Sequence, residues 1–278
     1  MPGHYKVWAM AINSVSGIPA FVLHSRPYRD SSAIVELFTQ SHGRVAVVAR
    51  GVKSAKCRYR GILQPFQPLL VSWSGRGEMF SLSSAEETGL PYPVRGQHLV
   101  VGLYVNELLM RSLGKGDTHE EIYSAYQELL EQLAQGGEKT ISMTQENALR
   151  FFEIELLSSL GYGLILDRDA GSGELINAKY SYMYHPARGP LLVDSDSVSS
   201  SAAEVRVSGA TLIALEQQVR LNKERLIDAK RLLRNALMYH LGNKPLRSRR
   251  LFQQYSKQPA SVTSIKKEAA HEREGSTH

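Results

Sequence analysis

From Ala20 to about Glu86 the apolar positions come in short runs cut by turn residues. Ala20–His24 is one such run, and Ser32–Thr39 is a second, rich in β-branched and aromatic side chains. Ser41-His-Gly43 supplies a turn. In Arg44–Arg50 the positions alternate, with Val45, Val47 and Ala49 on one face and Arg44, Ala46, Val48 and Arg50 on the other. Leu69–Trp73 reads as a fourth strand, its entry made irregular by Pro65 and Pro68. Gly75-Arg-Gly77 predicts a tight hairpin into a fifth strand over Glu78–Leu82. Five short strands in about 70 residues, with no long helix among them, predict a small closed or partly open barrel.

The period changes after Pro93. His98–Leu113 reads as a helix with Leu99, Leu103, Asn106 or Glu107, and Met110 along one side. Thr118-His-Glu-Glu121 has the form of a capping box opening a helix that runs to about Gln135, where Gly136-Gly137 ends it. Ser142-Met-Thr-Gln145 is a second such box, opening Glu146–Leu160 with Leu149, Phe152, Leu156 and Leu160 inward and Gly161 and Gly163 as stops. Residues 166–207 lose periodicity; Gly171-Ser-Gly173, the aromatic Tyr180–Tyr184 and the serine-rich Ser195–Ser201 predict a small irregular insert and a polar linker. Helical spacing returns at Ser208–Arg220 and at Glu224–Leu241, where Leu226, Ile227, Leu233, Leu237 and Leu241 are expected inward and Arg225, Lys230, Arg231 and Arg234 outward. Gly242 and Pro245 end that helix, and the chain from Ser256 onward is too polar to build a core.

The chain of 278 residues is 42% hydrophobic and 22% charged, which excludes a wholly disordered, collagenous or coiled-coil protein. One cysteine excludes an internal disulfide and a multi-thiolate zinc site, so a reducing cytosol is the expected compartment. No stretch approaches the roughly 18 apolar residues that span a bilayer. Val7–Ile12 falls short of the about 7–15-residue apolar core of a secretory signal, so residues 1–18 are expected to form a loose or partly docked extension. The formal charge of +6 is unevenly spread. Residues 21–80 hold nine Lys and Arg against three Asp and Glu, residues 81–219 nine against nineteen, and residues 220–278 fourteen against five. Two basic blocks flanking an acidic middle indicate a polyanion partner, nucleic acid being the commonest.

The first block carries Arg44, Arg50, Lys53, Lys56, Arg58, Arg60 and Arg76 beside Tyr59, Phe66, Trp73 and Phe80. Cations for phosphates and rings for bases are the two requirements of single-strand binding, although Phe66, Trp73 and Phe80 are better expected as core. The second block joins the Glu224–Leu241 helix to Lys244, Arg247, Arg249 and Arg250. No phosphate-cradling glycine loop, no nucleophile elbow and no metal-ligand histidine spacing occurs. Asp167/Asp169 and Asp194/Asp196 sit in glycine- or serine-rich loops, where turn chemistry explains them. Cys57 lies in the basic loop, where cations lower a thiol pKa, with no catalytic surroundings.

Ordered along the chain, Ala20–Pro27, Phe38–Arg44, Val48–Gly51, Leu63–Leu70, Gly75–Glu78, Ser84–Glu86, Gly102–Leu109, Leu160-Gly-Tyr-Gly163, Ala170–Glu174 and Gly242–Arg249 resemble the RecO family of bacterial recombination mediators. The resemblance covers about residues 19–255. It implies an α+β multidomain protein: an OB-fold β-barrel over residues 19–90, then an α-helical domain over 91–255 containing the irregular insert 166–207, with a polar tail at 256–278. It implies no catalysis and no cofactor, binding of single- and double-stranded DNA, annealing of complementary strands, and a bacterial cytoplasmic, nucleoid-associated setting. The implied partners are RecR, the acidic C-terminal tail of single-stranded DNA-binding protein and, indirectly, RecA, with no membrane. Many members carry a four-cysteine zinc module after the Leu-Gly-Tyr motif; Leu166–Gly171 here has no cysteine, so the insert is expected to fold without metal. Under this reading Arg44, Arg50, Lys53, Lys56, Arg58, Arg60 and Arg76 hold one strand. The second strand or the acidic tail falls to Arg225, Lys230, Arg231, Arg234, Lys244, Arg247, Arg249 and Arg250. A barrel that reads structured RNA, and a metal-assisted hydrolase built on Asp167 and Asp169, stand as the alternatives.

Overall fold

The computed structural model describes residues 13–52, 54, 59, 61–76, 79–135, 140–193, 203–242, 246–248 and 251. Five strands, β1 (Asn13–Tyr28), β2 (Ser32–Thr39), β3 (Gly43–Ala49), β4 (Leu69–Gly75) and β5 (Phe80–Glu87), close a barrel in the order β1-β2-β3-β5-β4. The 16-residue β1 serves two partners. Its first half pairs with β4 and its second half with β2, and each register shifts once, between Val15 and Ile18 and between Val22 and His24. Gly17, at φ +67°, takes the left-handed backbone inside the first shift. Residues 13–18, expected in a terminal extension, are therefore barrel wall, because β4 needs an antiparallel neighbour. Residues 1–12 and the tail expected at 256–278 lie outside the described residues. The barrel closes through a short parallel seam, Val47 facing Phe80 and Val48 facing Ser81, with β5 described from Phe80 and the Glu78 at which it was expected to begin outside the described residues. Ala20, Val22, Val35, Leu37, Val47, Leu69, Val71 and Trp73 fill the interior.

Three helices follow: α1 (Gly96–Ser112), α2 (Glu120–Ala134) and α3 (Met143–Ser159). The buried residues of α1 include Val100, Val101, Val105, Leu108 and Leu109, while the Leu99 that was expected inward is exposed. Barrel and helices enclose α1 on two sides, so its buried face is wider than a single row of leucines. Ser142 forms the expected capping box with Gln145. Thr118 forms none: its hydroxyl donates to the Ser41 carbonyl of the barrel at 3.2 Å, and α2 starts one residue late, capped by no side chain.

The stretch expected to be irregular contains a three-stranded sheet, β6 (Ser181–His185), β7 (Gly189–Leu192) and β8 (Val205–Ser208), in the order β7-β6-β8. The aromatic stretch is thus a strand, with Tyr182 and Tyr184 buried on alternate positions. They pack with Val207 against α4 (Gly209–Glu216) and the first half of α5 (Lys223–Leu241). The second half of α5 joins the main helical core through Leu233, Ala236 and Leu237. Ile227 is 55% exposed, a correction to the inward row: with a period of 3.6, Ala229 and Leu232 share the buried face of Leu226 and Leu233. The polar linker expected near Ser195–Ser201 lies outside the described residues.

The barrel is fastened to the helices by its outer surface. Phe21, Leu23 and Phe38 belong to the helical core, and the ring of Phe21 meets Tyr126 edge-on at 5.2 Å. Buried Asn106 donates to the Leu23 carbonyl at 3.1 Å and accepts from the Tyr126 hydroxyl at 2.7 Å. Gly43, at φ +58°, lies so close to the Asp117 backbone that a Cβ would collide with its carbonyl.

Candidate nucleic-acid interface

The register of β1, β2 and β3 sorts the outward side chains. Arg26, Ile34 and Val48 stand in one row, and His24, Glu36 and Ala46 in the next. Phe38 and Arg44 form a third row beside the helices. The helical side of this face is closed. Arg44 is only 16% exposed; it lies 3.7 Å from Glu36 and donates to the Met110 sulfur of α1 at 3.8 Å. Its backbone carbonyl accepts from Gly116 N–H. Arg44 thus sits in the joint between barrel and helices, apart from the open cations with which it was grouped.

The other side of the face is open. Arg50 is exposed, just past the end of β3. Tyr28 closes β1 opposite Ser32, and the Arg29 guanidinium lies 5.2 Å from the Tyr28 ring centroid, a cation–π contact. Arg29 has φ +50°, a conformation that costs a side-chain-bearing residue energy. Arg26 is exposed as well. Arg26, Tyr28 and Arg29 were absent from the expected site; their signal was the break Pro27–Ser31, which marks a hairpin tip carrying Tyr28, Arg29 and Asp30. Arg76 is exposed on the β4–β5 connection, before the β3–β5 seam in the strand direction, while Arg50 lies beyond it. Lys53, Lys56, Arg58 and Arg60 lie outside the described residues. The residues around them return to the barrel: Tyr59 is buried and donates its hydroxyl to the Ser83 carbonyl at 3.0 Å. Of the rings weighed for stacking, Tyr59, Phe66 and Trp73 are buried and Phe80 packs against the barrel core.

On α5, Lys230, Arg231 and Arg234 are exposed and Arg225 is half-buried. Arg231 pairs with Asp228 at 2.9 Å, and Lys230 lies 4.0 Å from Glu146. Arg247 is exposed; Lys244, Arg249 and Arg250 lie outside the described residues. The segment of Arg247 and Ser248 is fixed to α1 by Glu107, whose carboxylate accepts from both backbone N–H groups and from the Ser248 hydroxyl. Burial opposes ionisation of Glu107, but these donors and Arg111 outweigh it and hold the carboxyl below its ordinary range. Beneath this surface Arg150 pairs with buried Glu153 at 2.8 Å, and Tyr104 donates to the same carboxylate at 2.6 Å. Burial raises the Glu153 pKa against the opposing pull of Arg150.

The Asp167/Asp169 pair does not form an open acidic site. Asp167 is held by Arg168 at 2.8 Å. Asp169 Oδ1 accepts from the Gly171 and Ser172 N–H groups and the Ser172 hydroxyl, and Oδ2 from Leu192 N–H at 2.6 Å. Burial works against the Asp169 charge, yet those donors keep its carboxyl below the usual value. These residues do not fit a zinc ion: the loop has no cysteine, and the one buried carboxylate is already engaged by four donors.

A closed five-stranded barrel with exposed arginines on its outer side, joined to a helical body with exposed cations of its own, is the architecture that the described residues present. The recombination protein O N-terminal family matches residues 15–90, and the recombination protein O C-terminal family matches residues 95–250. The chain is 44% identical over 237 residues to the DNA repair protein RecO of Nitrosococcus oceani, covering 85% of this chain and 92% of that protein. It is 42% identical over 245 residues to the DNA repair protein RecO of Alkalilimnicola ehrlichii, covering 88% and 94%. The corresponding protein of Yersinia pestis is 41% identical over 248 residues, covering 88% and 97%. The chain belongs to the RecO family, with an N-terminal barrel and a C-terminal helical region. Among the described residues no helix is long and apolar enough to cross a membrane.

Proposed function

We propose that this chain is a mediator of DNA repair and homologous recombination in the bacterial cytoplasm, associated with the nucleoid, that works by holding DNA rather than by cutting it. It binds single- and double-stranded DNA and anneals complementary strands. With RecR it helps load RecA onto strands coated by single-stranded DNA-binding protein, whose acidic tail it engages. The observation that carries this reading is the barrel's outer side near the β1–β2 hairpin, where Arg26, Arg29 and Arg50 are exposed and the Arg29 guanidinium lies against the Tyr28 ring, with Arg76 exposed on the β4–β5 connection. Family membership supports the same reading.

Physically, two DNA strands repel each other, and each cation that neutralises a phosphate releases a condensed counterion. A protein with one cationic platform on its barrel and another on its helices lowers the repulsion between two strands held on it. No bond is made or broken, so binding energy alone does the work. The test replaces Arg26, Arg29, Arg50 and Arg76 with glutamine. Single-strand affinity is expected to fall, and the slope of log affinity against log salt to flatten by about 0.7 for each phosphate contact removed. Annealing of complementary strands, with and without single-stranded DNA-binding protein or its tailless form, is expected to slow in parallel. Unchanged affinity and slope would remove the barrel face from the mechanism, and a preference for matched RNA over DNA would favour an RNA partner.

A further inference from the structure

Four rings run in continuous contact along one end of the helical domain, and the barrel reading uses none of them. Tyr162 stacks on His240, with centroids 4.2 Å apart and planes 15° apart. His240 meets Tyr239 edge-on at 5.1 Å, and Tyr239 meets His185 edge-on at 5.4 Å. Each ring has a rigid mount. Gly161, at φ +80°, donates to the Ser158 carbonyl and Tyr162 N–H to that of Leu157, the paired bonds of a Schellman ending to α3. Tyr239 and His240 lie in the last turn of α5, and His185 ends β6 opposite Gly189. The two tyrosines remain open to water, Tyr162 at 42% and Tyr239 at 48%, and neither belongs to any of the three apolar cores. Burial holds His240 below its ordinary pKa, so its ring carries little charge at neutral pH.

Cations precede and follow the ladder along the chain. Arg231 and Arg234 are exposed on the two preceding turns of α5, and Arg247 is exposed after it. Rigid, half-open rings supply the faces on which unpaired bases stack, and the exposed Arg234 and Arg247, which flank the ladder in sequence, are the nearest cations along the chain for phosphates. A base within a duplex has no free face, so such a surface discriminates single strands from paired ones. We propose that the Tyr162–His240–Tyr239–His185 ladder is a base-stacking platform for single-stranded DNA, giving the helical domain its hold on the second strand. This rests on the DNA-binding reading above and adds the residues and the kind of contact.

The test uses the full chain and three labelled probes of equal length: oligo-dT, an abasic oligomer and a duplex. The Tyr162→Ala/Tyr239→Ala variant is expected to bind oligo-dT about ten- to a hundredfold more weakly, the range of losing one stacked base. Its affinity for the abasic and duplex probes is expected to stay within about twofold and its salt slope to stay unchanged, since no phosphate contact is removed. Tyr162→Phe/Tyr239→Phe is expected to restore oligo-dT binding. Independently of folding in any variant, oligomers carrying 5-iododeoxyuridine are expected to photo-crosslink the unaltered chain at one of the four rings, read by peptide mass spectrometry. Unchanged oligo-dT affinity with no adduct on these rings overturns the proposal and leaves the ladder to a protein partner. Equal losses on all three probes overturn it as well, as a folding or phosphate effect. If the unaltered chain binds none of the probes, the DNA-binding reading falls and takes the ladder with it; if only the ladder is wrong, abasic and duplex binding survive in full.

Discussion

In the barrel each strand has two neighbours, and Val35, Leu37, Val47, Val71 and Trp73 fill the space they enclose. In the β7-β6-β8 sheet the strands are four or five residues long, two of them are edges, and the buried side chains Tyr182, Tyr184 and Val207 find their partners on helices. A closed barrel has no edge to protect, whereas a short open sheet must cover its own. Here the cover is the Asp169–Ala170 segment: Asp169 takes the Leu192 N–H of β7, and Ala170 N–H donates to the Pro190 carbonyl at 2.7 Å. The Tyr184 hydroxyl adds a further tie by accepting from Ile165 N–H at 3.1 Å. One sheet is thus held by apolar filling of its own interior, and the other by apolar packing on helices with a polar clasp around a single carboxylate at its β7 edge. The two should fail differently, and the barrel that presents the cations should be indifferent to the state of the clasp.

The largest expected effect is in the barrel. Trp73 is 2% exposed and touches the barrel interior and the His42 ring, so Trp73→Ala should cost about 3–5 kcal/mol, read from the midpoint of chemical unfolding. The loss should be global, because Phe21 and Phe38 of the barrel wall are part of the helical core. A substitution that leaves the unfolding midpoint in place would show that the barrel is not what sets the stability of the whole.

Next is Asp169→Ala, expected to cost about 2–4 kcal/mol, since four donors lose a charged acceptor and the bonds are not additive. The readout is local: amide exchange should accelerate over residues 165–192 while the barrel amides keep their protection. The acid dependence follows the direction of the shift. The folded carboxyl titrates below its unfolded value of about 3.9, so its contribution is complete above that value and lost as pH falls through the lower, folded one. Between pH 5 and 8 the clasp should be constant, and acid should open β6–β8 before the barrel. Glu153 has the opposite sign: its pKa is raised, so its burial weakens the fold as pH rises through the interval between the unfolded and folded values. Simultaneous opening of both sheets in acid would end the distinction between them.

The same contrast decides what could be read from the sequence. Barrel strands of seven or eight residues show alternation over enough positions to be recognised, and the faces assigned to β3 agree with its register. The β6 strand shows only Tyr182 and Tyr184, two alternations within a serine- and glycine-rich stretch, and its partner β8 lies some twenty residues further on across a segment with no period of its own. Asp169 looked like turn chemistry, which it is; its reach to Leu192 is long-range and left no local trace. Charge was legible as quantity but not as position. Arg44 and Arg50 alternate onto one face in the sequence, yet only the docking of α1 distinguishes the half-buried one from the exposed one. Stacking rings were sought next to the basic loop, where Tyr59 and Trp73 fill the barrel and Phe66 the helical core, whereas the exposed Tyr162 and Tyr239 belong to segments that meet only in the fold.

The smallest expected effect is at the element that touches both regions. α3 gives Leu149, Phe152 and Leu156 to the main helical core, and Ile154 packs on that core and on the one beneath β6–β8. Its start is tied by Ser142, whose hydroxyl accepts from Gln145 N–H, while Gln145 Oε1 accepts from Ser142 N–H and lies 2.9 Å from His98 Nε2 of α1. Ser142→Ala should cost about 1 kcal/mol, the usual loss for a helix N-cap. Exchange should quicken in the first turn of α3 and in no barrel strand, because the cap lies far along the chain from Ile154 and the apolar contacts of the helix remain. If the clasp around Asp169 is self-sufficient, amides of residues 165–192 should be equally unmoved. Faster exchange there would mean that α3 passes strain from its cap to the β6–β8 sheet, and that the sheet depends on the helical core as well as on its own carboxylate.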